Sequence, residues 1–272
     1  MTEKMLNGRV AIVTGGGRGL GRAMTLGLAR AGVRVAATAA REPAEVEQVA
    51  ADIRAECGED RVLPLLADVT REDDCARVVA AALKRWQRLD ILVNNAGRGM
   101  KYVSDRFLNE PTRFWEVEPE TWRMVMDTNV NGPFLMASAA VPQFLAAGWG
   151  RIINISMNHE TMRRRGFSPY GPSKAALESE TTIWAQDLEG TGITVNALLP
   201  GGAALTGMIP PTVDGAVRAA LLDPDVMVAP LLWLASPAAD GVSGRRLLAN
   251  RWREGSPMDA IEEAGWPRIE QT

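Results

Sequence analysis

Short apolar runs alternate with longer amphipathic stretches along this chain. The short runs, bounded by turn residues, predict seven strands, at Val10–Thr14, Arg34–Thr38, Val62–Leu66, Ile91–Asn94, Ile152–Ser156, Thr194–Leu199 and Arg246–Ala249. The stretches between them predict helices near Leu20–Ala31, Pro43–Cys57, Arg71–Arg88, Glu120–Ala147, Pro172–Glu189 and Val226–Ala235. Right-handed crossovers between parallel strands place such helices on both faces of the sheet. The pattern therefore predicts a three-layer α/β fold around a doubly wound, seven-stranded parallel sheet.

No repeat or linker interrupts this series, so residues 1–272 are interpreted as one domain. Two long irregular segments, Arg98–Pro119 and Gly202–Asp225, follow strand ends. Open α/β sheets bind ligands at the carboxyl ends of their strands, so both segments are expected to line a substrate cleft. Residues 250–272 are expected to form a C-terminal extension.

Composition narrows the class of partner. The formal net charge of −3 gives no electrostatic reason to expect nucleic acid or an anionic membrane. No apolar run reaches the roughly 20 residues of a transmembrane helix, and the first residues lack the features of a secretory leader. One histidine and two cysteines, Cys57 and Cys75, cannot supply a conventional zinc site. These features predict a cytoplasmic protein that acts on a small molecule without a metal.

A glycine-rich string follows the first predicted strand directly. VAIVT runs into GGGRGLG and then into an amphipathic helix, which is the order of a dinucleotide-binding βαβ unit. Gly15, Gly19 and Gly21 permit a tight turn and a close approach of the backbone to a pyrophosphate. The helix N-terminus then offers unpaired N–H groups to the phosphates. We expect a dinucleotide here, and a merely flexible turn is the alternative.

Three motifs then occur in a fixed order: TGxxxGxG at 14–21, NNAG at 94–97 and YxxxK at 170–174. With Asp68–Val69, Asn129 in TNVNG and Pro200–Gly201, they make nearly the whole chain similar to the short-chain dehydrogenase/reductase family. The resemblance implies a Rossmann fold, a nicotinamide cofactor and oxidoreductase activity. It assigns to the cofactor Gly15, Gly17, Arg18, Gly19, Leu20, Arg41, Asp68, Val69, Asn94, Asn95, Ala96, Gly97, Tyr170, Lys174, Pro200, Gly201 and Thr206, the last one residue later than usual.

The choice of cofactor depends on the end of the second predicted strand, which reads TAARE. An acidic residue there would bind the ribose 2′-OH of NAD and repel the 2′-phosphate of NADP. The position holds Ala39, and both Arg18 and Arg41 are close enough in sequence to meet a phosphate. NADP(H) is therefore favoured. NAD(H) is the alternative if Glu42 turns toward the ribose or Arg18 is only a solvated surface residue.

Tyr170 and Lys174 lie one helical turn apart, so they share one face of the predicted helix. Carbonyl reduction needs a proton donor beside the hydride donor, and the ammonium of Lys174 is expected to lower the pKa of Tyr170. The resemblance implies that Lys174 also grips the nicotinamide ribose and that Asn129 holds the proton relay through a water. A surface tyrosine–lysine pair without a chemical role is the alternative.

The family's active-site serine normally stands thirteen residues before the tyrosine, and that position is Met157. A thioether donates no hydrogen bond. Ser156 is the nearest hydroxyl and the remaining candidate catalytic residue, although in a regular strand its side chain would point the opposite way. The missing contact has three possible sources: a bulge that redirects Ser156, replacement by Asn158, His159 or Thr161, or orientation by substrate contacts alone.

Basic and aromatic residues are concentrated around the predicted cleft. They are Arg98, Lys101, Tyr102, Arg106, Phe107, Arg113, Phe114 and Trp115, together with Arg163, Arg164 and Arg165 before the catalytic helix. They favour a substrate with a carboxylate or phosphate beside an apolar body. Alternatively the arginines only solvate loops, since Asp105, Glu110, Glu116 and Glu118 accompany them.

The leading hypothesis is an NADP(H)-dependent enzyme that passes a hydride between nicotinamide and a ketone or secondary alcohol. A dinucleotide-binding sensor or scaffold with weak or no catalysis is the rival, because Met157 replaces the serine. NAD-linked oxidation of a polyol or hydroxy acid is a third interpretation. By resemblance, the helices predicted at Glu120–Ala147 and Pro172–Glu189 join copies of the chain into a homodimer or homotetramer.

Overall fold

The computed structural model describes residues 6–210 and 213–265. In these residues the strands form one mixed sheet of eight strands, with helices packed on both faces. Within these ranges the strands are β1 (Val10–Val13), β2 (Arg34–Ala39), β3 (Val62–Leu66), β4 (Ile91–Asn94), β5 (Gly150–Ile155), β6 (Ile193–Leu199), β7 (Arg245–Leu248) and β8 (Ile261–Glu263). They lie in the order β3-β2-β1-β4-β5-β6-β7-β8. The first seven pair in parallel, and β8 runs antiparallel to β7.

Helices cover both faces of this sheet. They are α1 (Gly19–Arg30), α2 (Pro43–Cys57), α3 (Glu72–Trp86), α4 (Pro119–Met126), α5 (Gly132–Ala147), α6 (His159–Met162), α7 (Tyr170–Asp187), α8 (Gly215–Ala219) and α9 (Val228–Leu234). Val13 and Ile153 pack on one face against α1, α2 and α9, and Ile12 and Ile152 pack on the other against α3 and α5. The predicted Rossmann fold is confirmed, with each predicted strand found within two residues of its expected ends.

The structure adds one strand to the seven predicted. Part of the predicted C-terminal extension forms β8, in which Glu263 pairs with Arg245 and Ile261 with Leu247. A three-residue strand carries too little alternation to be recognised from its sequence. Residues 266–272 of the extension, and 211–212 of the segment Gly202–Asp225, lie outside the described residues.

The helix predicted at Glu120–Ala147 is divided into α4 and α5 by a π-helical turn at Asp127–Asn131. The N–H of Gly132 bonds to the carbonyl of Asp127, five residues back. Pro133 follows and has no N–H for the regular α-helical bond to Asn129. Such π turns occur mostly at functional sites, and this one carries Asn129.

The ligand crevice follows from the strand order. The connection after β1 leads to β2 on one side, whereas the strand on the other side of β1 is β4. The connections after β1 and β4 therefore run toward opposite edges of the sheet, and a crevice opens between them at the carboxyl ends of these two strands. The glycine turn follows β1, and residues 95–97 follow β4. Both therefore meet at this edge of the sheet.

Two surface features bear on partners. In the part of the chain that the structure describes, no helix is long and apolar enough to cross a membrane. Helices α5 and α7 leave Phe134, Leu145 and Ile183 about half exposed, at 51%, 48% and 52%. These helices are where the sequence predicts contact between copies, and that pairing stays a prediction.

Candidate active site

The turn between β1 and α1 has no space for side chains at its glycines. A Cβ on Gly21 would overlap the carbonyl oxygen of Gly15 and lie 2.5 Å from Nδ2 of Asn95. Gly15 and Gly19 have positive φ angles of 63° and 51°, which glycine adopts without strain. Because α1 begins at Gly19, its first N–H groups face the turn. This cradle fits a pyrophosphate bound at a helix N-terminus.

Asn95 locks the glycine turn to the end of β4. Its Nδ2 donates to the carbonyls of Thr14 (2.8 Å) and Gly15 (3.0 Å). The hydroxyl of Thr14 in turn accepts from the N–H of Ala96 at 3.0 Å. The structure therefore brings together the glycine motif and the NNAG motif, as the sequence predicts.

Asp68 and Val69 stand where β3 ends, at the same edge of the sheet. Oδ1 of Asp68 accepts from the backbone N–H (3.0 Å) and hydroxyl (2.8 Å) of Thr70, so this carboxylate stabilises its own turn. Val69 is buried against Gly132, where a Cβ would lie 2.7 Å from Cγ2 of Val69. These two residues thus connect β3 to the start of α5.

At the end of β2, the buried Ala39 leaves no carboxylate facing the crevice. Arg41 follows it and is exposed. Arg18 is also exposed, and its guanidinium forms an ion pair with Glu45 at 3.2 Å. The region where a ribose 2′-substituent is expected therefore holds the two cations Arg18 and Arg41 together with the carboxylates of Glu45, which is partly exposed, and Glu42, which is exposed.

Thr206 faces the glycine turn beside a cavity. A Cβ on Gly19 would lie 3.2 Å from the side chain of Thr206. The cavity, of about 520 Å³, is lined by Gly19, Leu205, Thr206, Gly207, Ile209 and Arg218. Arg218 lies on α8, and sequence reasoning missed it because α8 is remote from the glycine motif in sequence.

Gly201 follows the end of β6 with a positive φ of 84°. Its carbonyl accepts from the side-chain amides of Asn158 and Asn250, both at 3.1 Å. The predicted pair Pro200–Gly201 therefore links the loop after β5 to the residues after β7.

Tyr170 begins α7, and Lys174 lies one turn further along. Lys174 is 4% exposed, and its ammonium donates a 2.7 Å hydrogen bond to the carbonyl of Ile155 at the end of β5. The Nζ atom would lie 3.9 Å from a Cβ on Gly97. Lys174 therefore reaches from α7 to the end of β5 and to the turn that follows β4.

Burial shifts the pKa values of both side chains. It lowers the pKa of Lys174 to about 8, and the charge of Glu178 acts in the opposite direction. It raises the pKa of Tyr170 to about 12. The prediction that Lys174 lowers the pKa of Tyr170 is therefore wrong for this structure, because burial of the phenol is the dominant effect.

Asn129 makes direct contacts through its whole amide group. Oδ1 accepts from the N–H of Arg98 at 2.8 Å, while Nδ2 donates to the Arg98 carbonyl and to the Ser173 hydroxyl, both at 2.9 Å. The Ser173 hydroxyl donates to the carbonyl of Tyr170. Asn129 thereby joins the π turn, the loop after β4 and the first turn of α7.

Ser156 lies inside the protein, bonded to another buried group. It is 4% exposed, and its hydroxyl donates a 2.6 Å hydrogen bond to Oε1 of Glu178. Its N–H still bonds to the carbonyl of Leu198, so the ladder continues through this position with no bulge to redirect the side chain. The geometry therefore does not support Ser156 as a catalytic residue.

Met157 belongs to an apolar cluster that includes Tyr170. Met100, Phe107 and Phe167 form its buried centre, and Met157 and Tyr170 pack against it. The rings of Phe107 and Phe167 meet edge to face, with centroids 5.8 Å apart. The long segment after β4 thus covers the start of α7 with apolar side chains.

The basic residues around the cleft are largely engaged within the protein. Arg98 donates to Thr128 at 3.0 Å, Lys101 to the Gly207 carbonyl at 2.6 Å, and Arg106 pairs with Glu110 at 3.3 Å. Phe114 and Trp115 are about two-thirds exposed and pack on each other. The expected basic, aromatic mouth is therefore mainly an apolar wall with basic residues outside it.

Two buried charges behind this site escaped the sequence analysis. Glu178 is 1% and Arg246 2% exposed, and they pair at 3.4 Å. The available signals were weak: Glu178 stands four residues after Lys174, and Arg246 precedes an apolar run. Recognising their contact requires the order of β5, β6 and β7.

No group of three potential metal ligands occurs in residues 6–210 and 213–265.

Comparisons with known proteins agree with this geometry. The model of the family described as short chain dehydrogenase matches residues 9–215. A 3-oxoacyl-[acyl-carrier-protein] reductase of Synechocystis is 34% identical over 196 residues, which cover 72% of this chain and 74% of that protein.

Solved structures extend the likeness to most of the fold. A candidate NAD(P)-dependent gluconate 5-dehydrogenase of Beutenbergia cavernae, with NADP bound at low occupancy, has a TM-score of 0.77 and 32% identity, covering 89% of this chain and 95% of that one. A 3-ketoacyl-(acyl-carrier-protein) reductase of Brucella melitensis, in complex with NADH, gives the same score and identity over 89% and 96%. The chain therefore belongs to the short-chain dehydrogenase/reductase family and is an NAD(P)-dependent oxidoreductase acting on a carbonyl or an alcohol.

Proposed function

We propose that the protein is an NADP(H)-dependent reductase of ketones that carry an apolar body and an acidic group. The observation that carries this proposal is the buried ammonium of Lys174, which binds the Ile155 carbonyl and lies 3.9 Å from a Cβ on Gly97, at the edge of the sheet that holds the glycine cradle. Tyr170 lies one helical turn before it. Proton donor, cation and dinucleotide cradle then share one crevice.

The residues of the cradle fit a nicotinamide dinucleotide. The glycine turn and the N-terminus of α1 would hold the pyrophosphate, and Asp68 and Val69 would lie near the adenine. Asn95, Ala96, Gly97, Pro200, Gly201 and Thr206 would line the rest of the cleft, and Asn94 would support it from inside the sheet, where its amide donates to Asn154 at 2.9 Å. When bound, the cofactor supplies the hydride for the carbonyl carbon.

Tyr170 would donate the proton to the carbonyl oxygen. Because burial raises the pKa of Tyr170 to about 12, the phenol keeps its proton at neutral pH. A protonated phenol can donate to a carbonyl oxygen during reduction. The ammonium of Lys174, held by the Ile155 carbonyl, would steady the developing phenolate and bind the nicotinamide ribose.

The apolar cluster around Tyr170 supports a substrate with an apolar body. Arg163 and Arg165 are exposed at the edge of this region, and they are the candidates for binding a carboxylate or phosphate. Two similar proteins are named for acidic or acyl substrates, a gluconate and a 3-ketoacyl group on a carrier protein. Of these, gluconate carries a carboxylate, and the 3-ketoacyl group offers a ketone on an apolar chain.

Tyr170→Phe tests the central role of the phenol. We expect NADPH binding within about twofold of the wild type, because the ring remains, and a fall in kcat of at least about a hundredfold, because the proton donor is lost. Fluorescence titration with NADPH and turnover of aromatic and aliphatic keto acids measure the two quantities. Unchanged turnover would remove Tyr170 from the mechanism.

Arg41→Ala tests the preference for NADP(H). A charge-assisted hydrogen bond to the 2′-phosphate is worth about 1.5–3 kcal/mol, so we expect Kd for NADPH to rise about tenfold or more. Kd for NADH should stay unchanged, because NADH has no 2′-phosphate. Arg123→Ala, at an exposed ion pair with Glu120, is the control. Equal losses for both cofactors would contradict this role for Arg41.

Met157→Ser tests the missing hydroxyl. Removal of one donor to a developing oxyanion typically costs about a hundredfold or more in kcat, so restoring part of that contact should raise kcat about tenfold with a simple ketone. Stopped-flow oxidation of NADPH measures it. A lower kcat would mean that the packing of Met157 against the Tyr170 cluster matters more than a hydroxyl.

A further inference from the structure

A buried guanidinium holds the loop that follows β5. Arg246, on β7, is 2% exposed. Its Nη2 donates to the carbonyl of Met157 at 2.9 Å, and its Nη1 lies 2.7 Å from Nδ1 of His159. Both contacts fall on the residues that stand at and just after the position of the missing serine.

This contact determines the state of His159. A guanidinium has no acceptor, so Nδ1 must accept the hydrogen bond. The imidazole is then neutral, with its proton on Nε2. Burial, and then the positive charge of Arg246, lower the pKa of His159, while Glu178 acts in the opposite direction. His159 therefore reports the charges of this buried group.

A buried carboxylate completes the arrangement. Oε1 of Glu178 accepts from Ser156 (2.6 Å) and faces Nε of Arg246 (3.4 Å), while Oε2 accepts from the N–H of Gly265 (3.1 Å). These contacts come from the residue directly after β5, from β7 and from the residue two positions after β8. On its own helix, Glu178 lies one turn beyond Lys174.

We propose that Arg246 and Glu178 are positioning residues of the active site: Arg246 fixes the loop at Met157 and His159, and Glu178 keeps a negative charge behind Lys174. The inference rests on the proposed function, because it assigns Lys174 a role toward the cofactor. It also gives Ser156 a role as a donor to Glu178 in place of contact with a substrate.

The charged groups that face this pair come from every neighbouring element. They are Lys174 on α7, His159 on α6 with Arg163 just after it, and Glu262 on β8, whose carboxylate lies 3.6 Å from Arg246. Arg251 pairs with the same carboxylate at 2.8 Å. Burial lowers the pKa of Lys174, and the negative charge of Glu178 raises it. Without the charge of Glu178, the pKa of Lys174 is therefore lower, and Lys174 loses its proton at a lower pH.

The proposal is tested with Glu178→Gln, Arg246→Met and the double variant. Arg245→Met is the matched control, because Arg245 lies on the same strand but is exposed and pairs with Glu263 at 3.5 Å. The double variant removes both buried charges, a change that proteins often tolerate even where loss of one partner is damaging. It keeps the test available if a single variant fails to fold.

The first measurement is the NMR titration of His159, the only histidine in the chain, in protein without an affinity tag. We expect Arg246→Met to raise the pKa of His159 and Glu178→Gln to lower it, because Arg246 lowers this pKa and Glu178 raises it. Arg245→Met should leave it unchanged. Identical titrations in all variants would overturn the proposed contacts.

The second measurement is Kd for NADPH as a function of pH, which needs no substrate. In Glu178→Gln and in the double variant, the alkaline loss of affinity should begin about one pH unit lower than in the wild type. The control should follow the wild type. If the pKa of His159 shifts while the pH profile of Kd does not, the pair is only structural and the positioning role is overturned.

Tight NADPH binding without turnover of any ketone would instead reject the proposed function. The effect of Glu178 on the pH profile of NADPH binding would still stand.

Discussion

The burial of one ammonium group is the constraint on which the site depends. Transfer of a charge out of water costs several kcal/mol unless it is paired and hydrogen-bonded, and Lys174 is 4% exposed. The carbonyl of Ile155 accepts from it, and Glu178 stands one turn away. That carbonyl is available because β5 ends at Ile155, in a register that its pairing with β4 and β6 determines.

The same burial explains how the site departs from the family pattern. The phenol of Tyr170 lies in an apolar cluster with Met157, and its burial raises the pKa of Tyr170 to about 12. The hydroxyl of Ser156 binds the buried carboxylate instead of facing a substrate. Loop geometry after β5 then comes from Arg246, whose guanidinium reaches both a backbone carbonyl and an imidazole. At position 157, where the family has a serine hydroxyl, this protein has the apolar side chain of Met157, and the buried guanidinium of Arg246 binds its backbone carbonyl.

The sequence predicted what depends on local geometry. The glycine turn, residues 94–97 and the pair Tyr170 and Lys174 are placed as expected, because each depends on a short motif next to a strand or on the period of one helix. The contact of Arg246 with His159 could not be predicted, since the residues are 87 positions apart and meet only when β5, β6 and β7 are ordered. The direction of the pKa shift of Tyr170 also escaped prediction, because burial depends on a cluster drawn from three separate segments.

The π turn at Asp127–Asn131 lies between these cases. Pro133 can be read from the sequence, and a proline inside a helix is expected to end or bend it. In the structure the helical backbone continues, and the N–H of Gly132 bonds to the carbonyl five residues back. The result is the placement of Asn129, whose amide joins Arg98 and Ser173.

The most direct test of the account follows the hydride itself. NADPH carrying deuterium at nicotinamide C4, prepared separately with the label on each face, would be incubated with the wild-type protein and an aromatic keto acid, and the product analysed by mass spectrometry. The account predicts an alcohol with one deuterium on the carbinol carbon from one labelled face only. An unlabelled alcohol from both preparations would contradict direct hydride transfer at this site.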